Sequence, residues 1–137
     1  MDERIKNKIE EIEEYLCELE EIIPEDLKKY QQDFKTKAAC EHYFEKIIEA
    51  CENLGFFVVK FLNLKFPEKD MSIFDSLLKE NIINKELSQK LKEAKGMRNL
   101  ISHEYGIVDD EIVFDSITSE IDKDIKYFLR NIREFLK

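Results

Sequence analysis

The segment from Phe34 to Leu64 constrains the fold most. Cys40, Phe44, Ile47, Cys51, Leu54, Val58 and Phe61 follow one another at alternating spacings of four and three. That rhythm keeps apolar side chains on one side of a helix, whereas a strand would alternate them every second residue. Ile48, Phe57 and Leu62 widen the stripe. So broad an apolar face must be covered from more than one direction. It predicts the central helix of a bundle, or a helix that packs on its own bundle and on a second subunit.

The flanking sequence supplies the cover. From about Asp2 to Ile22, Ile5, Ile9, Ile12, Leu16 and Leu19 make one apolar stripe among Glu and Lys. Pro24 ends that helix and is expected at the first position of a short next one. Glu25 and Asp26 follow it, where the helix dipole favours acids, and Leu27 and Tyr30 belong to the same piece. A break falls near residues 31–35, and Pro67 marks a stop after the long helix. Ser72 with Asp75 predicts an N-cap for a short helix carrying Phe74, Leu77 and Leu78. Asn84 can cap a helix with Leu87, Leu91, Ala94, Met97 and Ile101 along one side, and Gly106 is its expected C-terminal stop. Asp109 or Asp110 caps the last helix, whose stripe is Val113, Ile117, Ile121, Ile125, Phe128, Ile132 and Phe135. There is no strand pattern, internal repeat or linker. The expected architecture is all-α: an up-and-down helical bundle of four main helices plus short ones, in one domain over residues 1–137.

Composition agrees with this and narrows the function classes. Only three Gly and two Pro occur in 137 residues, and 39% of the chain is charged, which argues against a turn-rich β fold or a disordered chain. No apolar run is long enough to cross a bilayer, and the charged start of the chain lacks the apolar stretch of a signal peptide, so a cytoplasmic location without membrane attachment is expected. Cys17, Cys40 and Cys51 are odd in number and lack CxxC spacing, against a disulfide framework or a zinc ribbon. Cys40 and Cys51 share a helix face, as buried core thiols would. The formal net charge of −9 ill suits a protein that coats nucleic acid through a general basic surface, yet it leaves room for a local basic cleft.

The chemistry-bearing residues lie together. Arg98, Asn99, His103 and Tyr105 fall within eight residues, close to where their helix should stop. Asn99 and His103 are one turn apart on the same side, whereas Arg98 and His103 point about 140° apart on a regular helix. One copy therefore does not bring Arg98 and His103 squarely together, but two copies across a twofold axis could. Such groups suit phosphodiester cleavage in RNA, where the ribose 2′-hydroxyl is the internal nucleophile. A His can serve as base or acid near neutral pH. An Arg can hold the phosphate through two hydrogen bonds and stabilise its developing charge, and an Asn can orient either group. No metal or other cofactor is required, and His42 and His103 stand in no ligand pattern. By spacing alone, caps and surface contacts account for such a cluster more readily than chemistry does. Lys92 and Lys95 read as a solvated helix face, and His42 and Tyr43 as structural residues.

A resemblance shifts that balance. Arg98-Asn99-Leu100-Ile101-Ser102-His103 is similar to the Arg–polar–x–x–x–His signature of HEPN domains, and through Tyr105 it resembles the Arg-x-x-x-x-His-x-Tyr motif of HepT-like toxins. The acidic first helix, the segment Lys35-Thr36-Lys37-Ala38-Ala39-Cys40-Glu41 near the start of the long helix, and the continuation from Ile107 to Phe114 fit the same family. The resemblance implies a helical homodimer whose motif helices line a shared cleft. It implies a metal-independent ribonuclease toxin, paired with an MntA-like minimal nucleotidyltransferase that adds AMP to the motif tyrosine and silences the toxin. Residue by residue, Arg98 and His103 would be catalytic, Asn99 would support them at the phosphate, and Tyr105 would be the modification site. The alternative is a non-catalytic HEPN module that binds a nucleotide or docks the nucleotidyltransferase.

Overall fold

The computed structural model describes residues 2–103 and 109–137; for His103 the backbone alone is described. Every element within these residues is helical: α1 (Glu3–Ile22), α2 (Leu27–Gln32), α3 (Phe34–Phe61), α4 (Ile73–Lys79), α5 (Lys85–His103), α6 (Asp110–Asp115), a π-helical turn (Ser116–Glu120) and α7 (Ile121–Phe135). α1 packs along α3, α3 along α5, α5 along α7, and α7 returns to α1, so the four long elements close a ring around one core. The expected all-α bundle is what forms.

α3 is the central element, as its stripe requires. Phe44, Ile47, Ile48, Cys51, Leu54, Val58 and Val59 on it are fully buried. It touches α1, α2, α4 and α5, and truncating any one of its large core side chains to Ala should cost roughly 2–5 kcal/mol. The α1 stripe, Ile5 to Leu19, is buried throughout. α4 wedges against both α3 and α5, with Phe74 edge-on to Phe128 of α7 at 5.9 Å. Its start is a full capping box, in which Ser72 and Asp75 each bond the other's backbone N–H group or that of a neighbour within the first turn. Asn84 caps α5 by accepting from the Leu87 amide at 2.8 Å, and Asp109 caps α6.

Four expectations need correction. Pro24 does not open α2. The carboxylate of Asp26 accepts from the Lys29 amide at 2.8 Å and sets the start two residues later, which leaves Pro24 in the linker. α3 stops at Phe61 rather than Leu64, and Pro67 is not the cause. Asn63 takes a left-handed conformation (φ 55°), and the Leu64 amide bonds back to the Val59 carbonyl at 2.9 Å, a Schellman-type end. Phe61 and Phe135, placed in core stripes by periodicity, are 45% and 47% exposed because the helices outrun their partners. The last helix is also not regular. Its apolar positions 113, 117, 121 and 125 are spaced by four, and each such step drifts about 40° around an α-helix. The wider π turn at residues 116–120 takes up that drift, so Val113, Ile117, Ile121 and Ile125 all reach the core. Gly106, expected to stop α5, lies outside the described residues.

Candidate functional site

α5 carries the motif in its last two turns. Leu87 and Leu91 are buried, Ala94 and Met97 are half-buried, and Ile101 is 9% exposed, so the helix is anchored on its apolar side up to the motif. This leaves Gly96, Asn99 and Leu100 turned outward. Gly96, Asn99 and position 103 fall on one stripe at spacings of three and four.

Arg98 is not a free surface cation. Its Nη2 lies 2.7 Å from Oε1 of Glu52 on α3, and its Nε–H donates to the Asn99 side-chain carbonyl at 3.1 Å. The other oxygen of Glu52 takes Nζ of Lys95 at 3.1 Å. The Glu52 and Arg98 side chains are only 14% and 17% exposed, so this triad is largely shielded from water, where charge-assisted bonds hold better than at an open surface. Two groups predicted from sequence, Arg98 and Asn99, are thus brought into direct contact. His103 ends α5 with its side chain outside the description, and Tyr105 lies outside the described residues altogether.

Two carboxylates on α3 bond this part of α5, and a third lies near the start of α6. Glu52 holds Lys95 and Arg98, and Glu45 accepts from the Ser102 hydroxyl at 2.9 Å. Glu41, one turn earlier, lies where burial raises its carboxyl above the ordinary 4.5; Lys37 pulls it down, and Asp110 and Glu45 push it up. Lys37 itself bonds Asp110 at 2.7 Å, which ties the start of α3 to the start of α6. Sequence reasoning did not single out Glu45 or Glu52. Their spacing from Glu41, four and then seven with Ile48 between, was the available signal, but it also describes an ordinary solvated helix edge. Lys92 and Lys95 are likewise not a solvated face, because Lys92 bonds Asp75 of α4 at 3.0 Å. His42 is exposed, and half-buried Tyr43 meets Tyr15 of α1 edge-on.

A cleft of about 300 Å³ opens on the other flank of α5, between it and α6–α7, and neither Arg98 nor Asn99 lines it. Among the described residues, no three His, Cys, Asp or Glu side chains are grouped as a metal would need. No helix among them is long and apolar enough to cross a membrane.

The chain has known relatives. Residues 12–132 match the family model described as "Ribonuclease HepT-like". The chain is 25% identical over 133 residues to the mRNA nuclease HepT of Shewanella oneidensis, covering 97% of this chain and 98% of that one. It is 24% identical over 132 residues to the tRNA nuclease HepT of Aphanizomenon flos-aquae, covering 96% and 89%. A solved structure of the tri-AMPylated Shewanella oneidensis HEPN toxin, in complex with MNT antitoxin, superposes with a TM-score of 0.89 at 25% identity over 98% of this chain and 99% of that one.

Proposed function

We propose a function from one premise: the chain belongs to the ribonuclease HepT-like family of HEPN domains, whose model matches residues 12–132. The protein is an endoribonuclease toxin whose partner is an MNT-type nucleotidyltransferase antitoxin. The nuclease names of its relatives and the toxin–antitoxin complex of its structural neighbour support this reading.

The observation that carries it is the held guanidinium of Arg98. Asn99 and Glu52 engage Nε and Nη2, and no described contact engages Nη1. An arginine fixed along one edge presents its remaining N–H groups as a preset phosphate clamp. His103 takes the proton of a ribose 2′-hydroxyl, or returns one to the leaving 5′-oxygen. The 2′-oxygen attacks phosphorus, the bond to the 5′-oxygen breaks, and a cyclic phosphate remains, so no metal ion is needed to generate the nucleophile. Because Arg98 and position 103 diverge on one helix, the reaction needs two α5 helices across a twofold axis, each copy contributing to a shared cleft. AMP on Tyr105 would bring bulk and negative charge to that cleft and repel RNA.

The test is RNA cleavage by purified protein in excess EDTA. His103→Ala and Arg98→Ala should each abolish it while the dimer persists. If wild type binds its nucleotidyltransferase yet leaves RNA intact with and without divalent metal, the non-catalytic module is the correct reading. Incubation with the nucleotidyltransferase and ATP should add AMP mass to wild type and none to Tyr105→Phe; an equal gain in that variant would refute the Tyr105 assignment.

A further inference from the structure

We propose that Glu52 is the positioning residue of the motif, fixing the direction in which Arg98 meets a phosphate at the expense of some affinity for RNA. Glu52 comes from α3, the central helix, beside fully buried Cys51 and one turn after fully buried Ile48. Its carboxylate therefore stands on a backbone fixed by core packing. Both oxygens are used, Oε1 by Arg98 at 2.7 Å and Oε2 by Lys95 at 3.1 Å. The Nε–H of Arg98 is taken by Asn99 at 3.1 Å.

The edge of a guanidinium formed by Nε and Nη2 is one of the two that make bidentate contacts to oxyanions. Here that edge is occupied from inside the protein by two different acceptors. A phosphate must then be met by the end that carries Nη1, in one direction only. The same carboxylate sets Lys95 beside Arg98, so two cations share one anion and the triad keeps a net positive charge. Removing the Glu52 charge would leave two uncompensated cations that attract RNA more strongly, with a guanidinium free to swing. Binding and turnover should then move in opposite directions, which mere loss of a structural salt bridge would not produce.

This inference rests on the ribonuclease reading above, and the experiment separates the two. Steady-state cleavage gives kcat and KM for wild type, Glu52→Gln and Glu52→Asp, and binding of a 2′-O-methyl oligoribonucleotide, which lacks the nucleophilic proton, is followed across salt concentrations. Glu52→Gln should lower kcat by about tenfold to a hundredfold, the scale set by an ångström of misplacement. It should also lower KM and steepen the salt dependence by about 0.7 in log–log slope, one added phosphate contact on a single strand. Glu52→Asp keeps the charge but withdraws it by one methylene, so it should bind like wild type and turn over slowly. Unchanged kcat in Glu52→Gln, or a fall in kcat that tracks melting temperature in both variants while KM rises or stays, would overturn the proposal. A wild type that neither cleaves nor binds RNA would instead refute the ribonuclease reading beneath it.

Discussion

Gly96 occupies the interior of α5 without an internal reason, and replacing it with Ala is the most informative single change. The residue is exposed, and a Cβ built on it meets no heavy atom within 4 Å. Glycine inside a helix costs about 0.5–1 kcal/mol relative to alanine, through backbone entropy. Gly96→Ala should therefore stabilise the fold by about that amount, raising the urea midpoint by a few tenths molar at an unchanged slope. Gly55 is the control, because it too lies inside a helix. Its Cβ would stand 2.8 Å from Cγ1 of Ile73 and 3.4 Å from Cδ1 of Leu77, where α4 presses on α3. Overpacking of that kind costs about 1–3 kcal/mol, enough to outweigh the gain in propensity, so Gly55→Ala should destabilise. Gly96 shares its outward stripe with Asn99 and position 103, so a close approach of RNA or of a partner helix there would explain a glycine that the single chain does not need. Gly96→Ala should accordingly lose cleavage activity while it gains stability. A Gly96→Ala protein that is less stable than wild type, or a Gly55→Ala protein as stable as Gly96→Ala, would refute the reasoning from local space. Full activity in Gly96→Ala would refute the close approach.

Two further perturbations probe buried chemistry. Cys17 is exposed whereas Cys40 and Cys51 are buried, and burial pushes the Cys40 thiol up to about 11 and that of Cys51 higher still. A thiol reagent at pH 8 should thus modify one cysteine per native chain and all three in denaturant; fast modification of a second one in the native protein would contradict the burial. Burial also holds the Glu41 carboxyl above its ordinary 4.5, so folding takes up protons just above that pH. The unfolded chain then binds fewer protons than the native one, and stability falls as pH rises through this window. Glu41→Gln should remove that part of the decline and exceed wild type in stability at pH 7. Urea midpoints at pH 5 and pH 7 decide it, and an unaltered pH slope would show that Glu41 is not responsible.

Much of the fold was legible because apolar spacing and caps are local signals. The stripe of α1, and that of α3 as far as Val58, appear in the core as their spacing predicts, and Ser72, Asn84 and Asp109 cap the helices they precede. The failures also have local causes. Pro24 lost the helix start to the stronger capping oxygen of Asp26, and Asn63 ended α3 before Pro67 could matter. The π turn was readable in principle, since three successive spacings of four are more than a regular helix keeps on one face. What spacing could not supply was the partner of Arg98. Glu52 lies 46 residues upstream, on a helix rich in similar acids, and only the α3–α5 packing selects it. His103 was legible from its chemistry and its spacing to Asn99, and the role of Tyr105 only from the motif.

The net charge of −9 remains to be squared with an RNA substrate, and local geometry does so better than composition. At physiological ionic strength, charges more than about 8 Å apart in water are largely screened, so the acids crowding the exposed faces of α1 act weakly on a phosphate held beside Arg98. Glu52 is different, because it stands within ion-pair distance of both Lys95 and Arg98 and is mostly shielded from solvent. Among the described residues, the charges gathered at the motif are Lys95 and Arg98 against Glu52, with Glu45 held by Ser102 one turn further on. A dimer would bring two Lys95–Arg98 pairs to one cleft, while the acidic remainder of the surface discourages RNA from lying anywhere else. On this argument the acidic balance confines RNA to the motif, and a substrate strand makes few phosphate contacts, with a correspondingly shallow dependence on salt.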